Sequence, residues 1–436
     1  MVQLNETHDP ERRSWVVSAN DAGADFPIQN LPLCVFRTAE RGPRGGVGIG
    51  DQIFDLKAAL DAGLFSGAAA QAAEAGSAQT LNELMAMGPR YSSALRSRVS
   101  EILAVGPVAG AAKDLAEKIL VPMAGAQLEL PVFTRSFTDF SCSMNHMRRM
   151  GGGNVRPVFM QLPVGYHGRA SSLRVSGAPV VRPTGQFSGT NGSAAYGPEP
   201  SMDFELELGA YVGTPNAIGE PVPISKASNH IFGFTLVNDW SARGIQIFES
   251  ALGPFLGKSF LTTVSPWIVT QEALAPFRVP AAKRAESEIP VPQHLGDDND
   301  QREGGIDLEL STYLQTERMR REGRAPERIV HSNFAEIYWT FAQMLAHHTS
   351  NGCNLEAGDL LASGTVSGTP DDAKGCLMEI NGRGQTPLRL QNGETRLWLE
   401  DGDEVSFRAR ASRSGFVSIG FGPCDGRVLP GKAMRR

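Results

Sequence analysis

Residues 203 to 213 read DFELELGAYVG, with Phe204, Leu206 and Leu208 alternating with Asp203, Glu205 and Glu207. A period of two predicts a strand, and it puts three carboxylates on one face. Further strand signals separated by Gly-rich turns are SSLRVSGAPVVRP, HIFGFTLVNDW, SPWIVT, IDLELSTYLQ and LWLEDGDEVSFRAR. Together they predict a mixed or antiparallel β architecture. Helical spacing marks LNELMAMG and YSSALRSRVSEILA, and again NFAEIYWTFAQMLAHH at 333–348, where Phe334, Ile337, Tyr338, Phe341, Met344 and Leu345 share a stripe. Residues 31–57 are short apolar runs broken by Gly and Pro, so with the Ala-rich stretch at 57–105 they form a small α+β unit. The pattern turns irregular over 106–132, and the expected division is 1–125 and 126–436. Segments 187–200 and 283–305 read as surface loops.

Composition narrows the partners. Forty-one basic against forty-seven acidic residues give a net charge of −6, which offers no basic field for nucleic acid or anionic lipid. No stretch approaches the roughly 20 apolar residues of a membrane span, and MVQLNETHDPERRSW lacks the regions of a signal peptide, so a cytoplasmic location is expected. The five cysteines (Cys34, Cys142, Cys353, Cys376, Cys424) are scattered and never in C-x-x-C spacing, so free thiols are expected.

Three stretches carry candidate chemistry. Glu205 and Glu207, two apart on a strand, can close on one ion, although an E-x-E is more often a solvated strand face. FTDFSCSMNHMRR places Asp139 and His146 among apolar and small residues. GFTLVNDWSARGIQ is an apolar strand ending at Asp239, with Arg243 and Gln246 beyond; taken singly, Asp239 reads better as a helix N-cap. Several carboxylates without His or Cys in ligand spacing select Ca²⁺ or Mg²⁺ over zinc. Spacing does not show that these acids converge. The glycines ahead of Lys258 lack phosphate-loop spacing, and DDND at 297–300 reads as a solvated acidic loop.

The strings FTDF…H, LPVGYHGRASS, DFELELGAYVG, PISKASNHIFGFTLVNDWSARGIQ, LGPFLGKSFLTTVSPW, HHTSNGCNLEAGDLLASGTVSG and DGDEVSFRA, in this order from about residue 30 to 430, resemble the fumarylacetoacetate hydrolase family. The resemblance implies a mainly β fold with some α: a small N-terminal SH3-like barrel domain, then a mixed β-roll, in a homodimer. It implies Ca²⁺ or Mg²⁺ held by Asp139, Glu205, Glu207 and Asp239, and a second, structural cation at Asp239, Lys258 and Thr262. By the same match His146 is the general base, Glu379 its orienting partner, and Arg243, Gln246 and Lys258 surround the oxygens of a small diketo acid, with Tyr166 and Thr365 lining the pocket. The implied reaction is metal-dependent hydrolysis of the carbon–carbon bond of 4-fumarylacetoacetate to fumarate and acetoacetate. Asp203 has no ligand role in that pattern and is expected at the strand's edge, hydrogen-bonded or solvated.

Two positions depart from the family: Ser141 and Ser250 stand where it has tyrosines that touch substrate. The loop from His146 to Tyr166 is also short, which leaves Arg149, Arg156 or no residue as its substrate-binding arginine. Hydrolysis or decarboxylation of a related diketo acid therefore stays open, as does a silent metal-stabilised paralogue.

Overall fold

The computed structural model describes residues 3–107, 109–189, 192–285 and 288–432. Near the N-terminus five short strands form an antiparallel sheet in the order Leu120–Pro122, Gln52–Asp55, Arg44–Ile49, Leu33–Arg37, Gln127–Glu129. Four helices, Leu56–Asp61, Gly67–Gly76, Asn82–Ala86 and Pro89–Leu103, follow the third strand and pack on it. This is the small β unit with helical segment expected of an SH3-like domain. Gln127–Glu129 lies past the expected 125/126 division yet pairs with Val35–Arg37, so the first sheet ends a few residues later.

Two larger sheets follow. One has the order Gly165–Gly168, Phe137–Phe140, Leu360–Ala362, Leu206–Val212, Ile231–Asn238, Thr262–Val264, Leu173–Val175, with parallel and antiparallel neighbours. The other joins Glu327–Asn333, Glu309–Gln315, Glu404–Ala411, Cys424–Leu429 and Val180–Val181. Leu206, Leu208, Ala210 and Val212 face the main core with Phe204, Phe234, Trp240 and Phe407. On the opposite face, Tyr211, Phe232, Val237 and Val264 pack with Val35, Val47 and Leu84 of the N-terminal unit. The alternation of the sequence is kept, but both faces are covered, so every residue of Leu206–Val212 is buried.

Local expectations shift where capping and pairing override periodicity. The helix expected over 333–348 begins only at Phe341, because Thr340 accepts from the Gln343 amide in a capping box while Glu327–Asn333 extends the preceding strand. The loop expected at 187–200 contains part of a ribbon, Thr184–Ser188 against Ala194–Pro198. Within 283–305, Asp297 caps Asp298–Glu303, and Asp300 is buried and accepts from Thr340 Oγ1 at 2.9 Å; DDND is a helix start, not a solvated loop. The five cysteines are free thiols.

Candidate active site

Strand register brings the acids to one end of the first of the two larger sheets. Asp139, next to last in Phe137–Phe140, is level with Ala362 in the parallel strand and with Tyr166 on its other side. Leu206, between the two glutamates, pairs with Asn238, one residue before Asp239. Lys258, on the short helix Leu256–Ser259, precedes the neighbouring strand, and Thr262 opens that strand at the same end. Carboxylate oxygens of Asp139, Glu205, Glu207 and Asp239, all buried, lie within 4.8 Å of one another.

The electrostatics are uneven. Five buried carboxylates, Asp203 included, share two buried cations, Arg243 and Lys258. Arg243 Nη1 sits 2.7 Å from Glu205 Oε1, and Lys258 Nζ pairs with Glu205 Oε2 and, at 2.8 Å, with Asp239 Oδ2. Burial pushes the Glu205 carboxyl up, but Lys258 and Arg243 outweigh it and hold it down at about 2. Tyr166 Oη donates to Asp239 Oδ2 at 2.6 Å and Thr262 Oγ1 to Asp239 Oδ1 at 2.8 Å. Asp139 accepts the Gly364 amide at 3.1 Å. Glu207 is different: no N–H or hydroxyl among the described residues donates to either carboxylate oxygen, and its side-chain partner is the Asp139 carboxyl. Burial, then Asp139, Asp239 and Glu205, drive its pKa well above the carboxylate range, and burial with Asp239 does the same to Asp139.

An all-oxygen donor set with surplus negative charge and two buried oxygens without an N–H or hydroxyl donor fits a hard divalent cation. Asp239, Lys258 and Thr262 do converge, but their polar groups satisfy one another. Burial opposes the Lys258 charge, while Asp239 and Glu205 raise its pKa, so the ammonium stays charged beside Asp239.

His146 lies on Met144–Met150, whose N-cap Ser143 accepts the His146 amide. Its Nδ1 is 2.7 Å from Glu379 Oε1. Ser367 Oγ donates to the same oxygen at 2.6 Å, and Arg149 Nη1 to Oε2 at 3.1 Å. Burial raises the Glu379 pKa, but His146 and these donors bring it below the ordinary glutamate value. Cys376 also converges on this pair. Burial, then Asp203, keeps its thiol protonated, and the ring and carboxylate are bonded to each other, which suits a proton relay better than a metal centre.

Among the remaining expected residues, Gln246 Oε1 accepts from Arg243 Nη1 at 3.1 Å, and Thr365 is buried one residue after Gly364. Arg149, a candidate for substrate, also spends Nη2 on the Gly368 and Thr369 carbonyls and so belongs to the His146–Glu379 pair; Arg156 is exposed. Ser141 is half-buried, and Ser250 is exposed with its Oγ donating to the Ile247 carbonyl. Asp203 is fully buried and hydrogen-bonded, so the solvated alternative fails. Sequence reading missed Ser367, since LASGTVSGTP carries only turn signals, and Glu199, whose carboxylate accepts the Gly244 and Ile245 amides beneath Arg243.

Residues 135–429 match the fumarylacetoacetate hydrolase C-terminal family model and residues 29–131 the fumarylacetoacetase N-terminal model. A fumarylacetoacetase of Oryza sativa subsp. japonica is 44% identical over 433 residues, covering 96% of this chain and 97% of its own. The fumarylacetoacetase of Homo sapiens is 42% identical over 428 residues, covering 96% and 99%. The crystal structure of maleylpyruvate hydrolase from Sphingobium sp. SYK-6 shares the fold, with a TM-score of 0.50 at 17% identity over 92% of this chain and 100% of that one. With its two matched segments and its relatives running over nearly the full length, the chain belongs to the fumarylacetoacetate hydrolase family.

Proposed function

We propose that this chain hydrolyses the carbon–carbon bond of 4-fumarylacetoacetate, giving fumarate and acetoacetate in tyrosine breakdown. The reading rests on one observation above all: four buried carboxylates converge beside a His146–Glu379 pair in a chain whose relatives are named fumarylacetoacetases.

Asp139, Glu205, Glu207 and Asp239 would hold the cation, Ca²⁺ or Mg²⁺. When bound, such an ion supplies Lewis-acid polarisation of a 1,3-dicarbonyl's two oxygens. The chain's own residues do the rest. Glu379 engages His146 Nδ1, which leaves Nε2 to take the proton of the attacking water, and the ionised carboxylate stabilises the imidazolium that forms. Arg243 and Lys258 keep their charge in a dry site and face the oxyanion that develops on the attacked carbonyl, with Gln246 steadying the guanidinium. Cleavage sends the electron pair to the acetoacetate side as an enolate, which the proton taken by His146 then quenches. Tyr166 and Thr365 line the pocket.

The direct test incubates the protein with 4-fumarylacetoacetate and follows fumarate and acetoacetate by mass spectrometry. His146→Ala should lower turnover by about 10²- to 10⁴-fold while the metal stays bound. An inactive wild type, or an unaffected variant, contradicts the proposal. Ser141 and Ser250 support a second reading on the same site, a different acylated keto acid; a panel of diketo acids separates the two.

We also read the protein as a cytoplasmic homodimer. Among the described residues no helix is long and apolar enough to cross a membrane. Ile247, Phe248, Leu252, Phe255 and Leu256 are exposed together on the stretch between Arg243 and Lys258, an apolar patch suited to a second copy.

A further inference from the structure

Asp203 stands outside the carboxylate cage, yet no solvent reaches it and both of its oxygens are engaged. Oδ1 accepts the amides of Phe204 at 2.8 Å and Leu377 at 2.7 Å. Oδ2 accepts the Met378 amide at 3.1 Å and Arg243 Nε at 2.9 Å, and Arg243 Nη2 lies 2.8 Å away as an ion-pair contact. Leu377 and Met378 open the short helix Leu377–Ile380, and the next residue is Glu379. A second tie runs parallel to this one: the Leu206 amide, between the two cage glutamates, donates to the Gly375 carbonyl at 3.0 Å. The segment that carries Glu379 is thus fastened at two points to residues 203–206.

The Arg243 guanidinium is divided by the same arrangement. One edge is held by Asp203, while Nη1 reaches Glu205 Oε1 and Gln246 Oε1. One buried carboxylate therefore touches both the oxyanion donor and the backbone that bears the orienting acid of His146.

We infer that Asp203 is a positioning residue for the proposed hydrolysis, fixing the spacing between Arg243 and the Glu379 helix so that His146 and the oxyanion donor act on one substrate. The inference rests on the functional reading above. A buried ion pair kept only for stability would not need to bond the two amides that precede Glu379; a positioning residue does.

The test compares wild type, Asp203→Asn, Glu379→Gln and the double variant, with folding checked by circular dichroism. Asp203→Asn should lower kcat by about 10- to 100-fold, the usual effect of a residue that orients a reacting group. Because Asp203 holds Arg243 as well as the Glu379 helix, the double variant should lose clearly less than the product of the two single losses; losses that multiply in full overturn the inference. Calcium titrated calorimetrically should bind Asp203→Asn and wild type alike, since the cage is intact, and a lost site would make Asp203 part of the cage instead. The proton shared by His146 Nδ1 and Glu379, followed by NMR without substrate, should shift or broaden in Asp203→Asn. An unmoved resonance overturns the inference even if the wild type proves inactive on fumarylacetoacetate, so the two claims fail separately. Should Asp203→Asn not fold, Asp203→Glu keeps the charge with a longer reach; wild-type kcat in that variant would show that charge alone, and not position, is what matters.

Discussion

Glu207 carries the sharpest residue-scale expectation, because a buried carboxylate with no donor is costly unless it is protonated or bound to a cation. Removing the charge in Glu207→Gln should weaken Ca²⁺ or Mg²⁺ binding by more than the about 10- to 100-fold typical of outer-shell changes, read by titration calorimetry. The pH dependence has a definite sign. Burial and the neighbouring acids raise the folded pKa of Glu207, so the stability tied to this group is complete below the ordinary carboxyl value and is lost as pH rises through the raised one. In chelator, wild type should therefore lose more melting temperature than Glu207→Gln as pH rises above the ordinary carboxyl value of about 4.3. Equal slopes would contradict the assignment. Saturating metal should offset the loss by mass action, about 2.7 kcal/mol at a hundred times Kd. Much of this convergence was legible in the chain: the E-x-E, the acid ending an apolar strand and the isolated Asp139 and His146 each marked a residue that the fold gathers into one of two adjoining clusters. What spacing withheld was their meeting, since Asp139 and Glu205 come together only through the intervening strand Leu360–Ala362.

The turn after that strand links element geometry to the cage. Gly364 has φ +76°, and a side chain there would place its Cβ 2.0 Å from the Phe140 carbonyl oxygen, while its amide donates to Asp139. Gly364→Ala should cost at least about 1–3 kcal/mol of stability and lower metal affinity together, measured by thermal melting and titration on one preparation. Loss of one without the other would break the link between turn and ligand. Elements were less legible than residues where local chemistry outweighed periodicity. The stripe from Phe334 to Leu345 was read as one helix, yet Thr340 restarts the chain as a capping residue and leaves Phe334 in a 3₁₀ turn at a strand's end. The strand at 203–213 likewise breaks after Asp203, which pairs with Ser241 in a separate ribbon and so aims at Arg243 instead of the four clustered carboxylates.

At the scale of the whole molecule, the N-terminal unit covers the second face of the sheet that bears the site, so the strand Leu206–Val212 is buried on both faces. No strand pattern announces that cover; it comes from the packing of Tyr211, Phe232 and Val264 against residues more than a hundred positions earlier. The exposed apolar patch makes a separate expectation. Leu252→Asp with Phe255→Asp should convert a sedimenting dimer to monomer without unfolding it, and a monomeric wild type would contradict the dimer.

The central claim is that the four-carboxylate cage and the His146–Glu379 pair work as one hydrolytic site. The most direct measurement follows fumarylacetoacetate turnover by wild type and His146→Ala after exhaustive chelation and again after adding Ca²⁺ or Mg²⁺. The account predicts that wild type falls silent on chelation and recovers with the ion, while His146→Ala binds the ion and stays silent. Full turnover in the chelated protein, or recovery by His146→Ala, would contradict it.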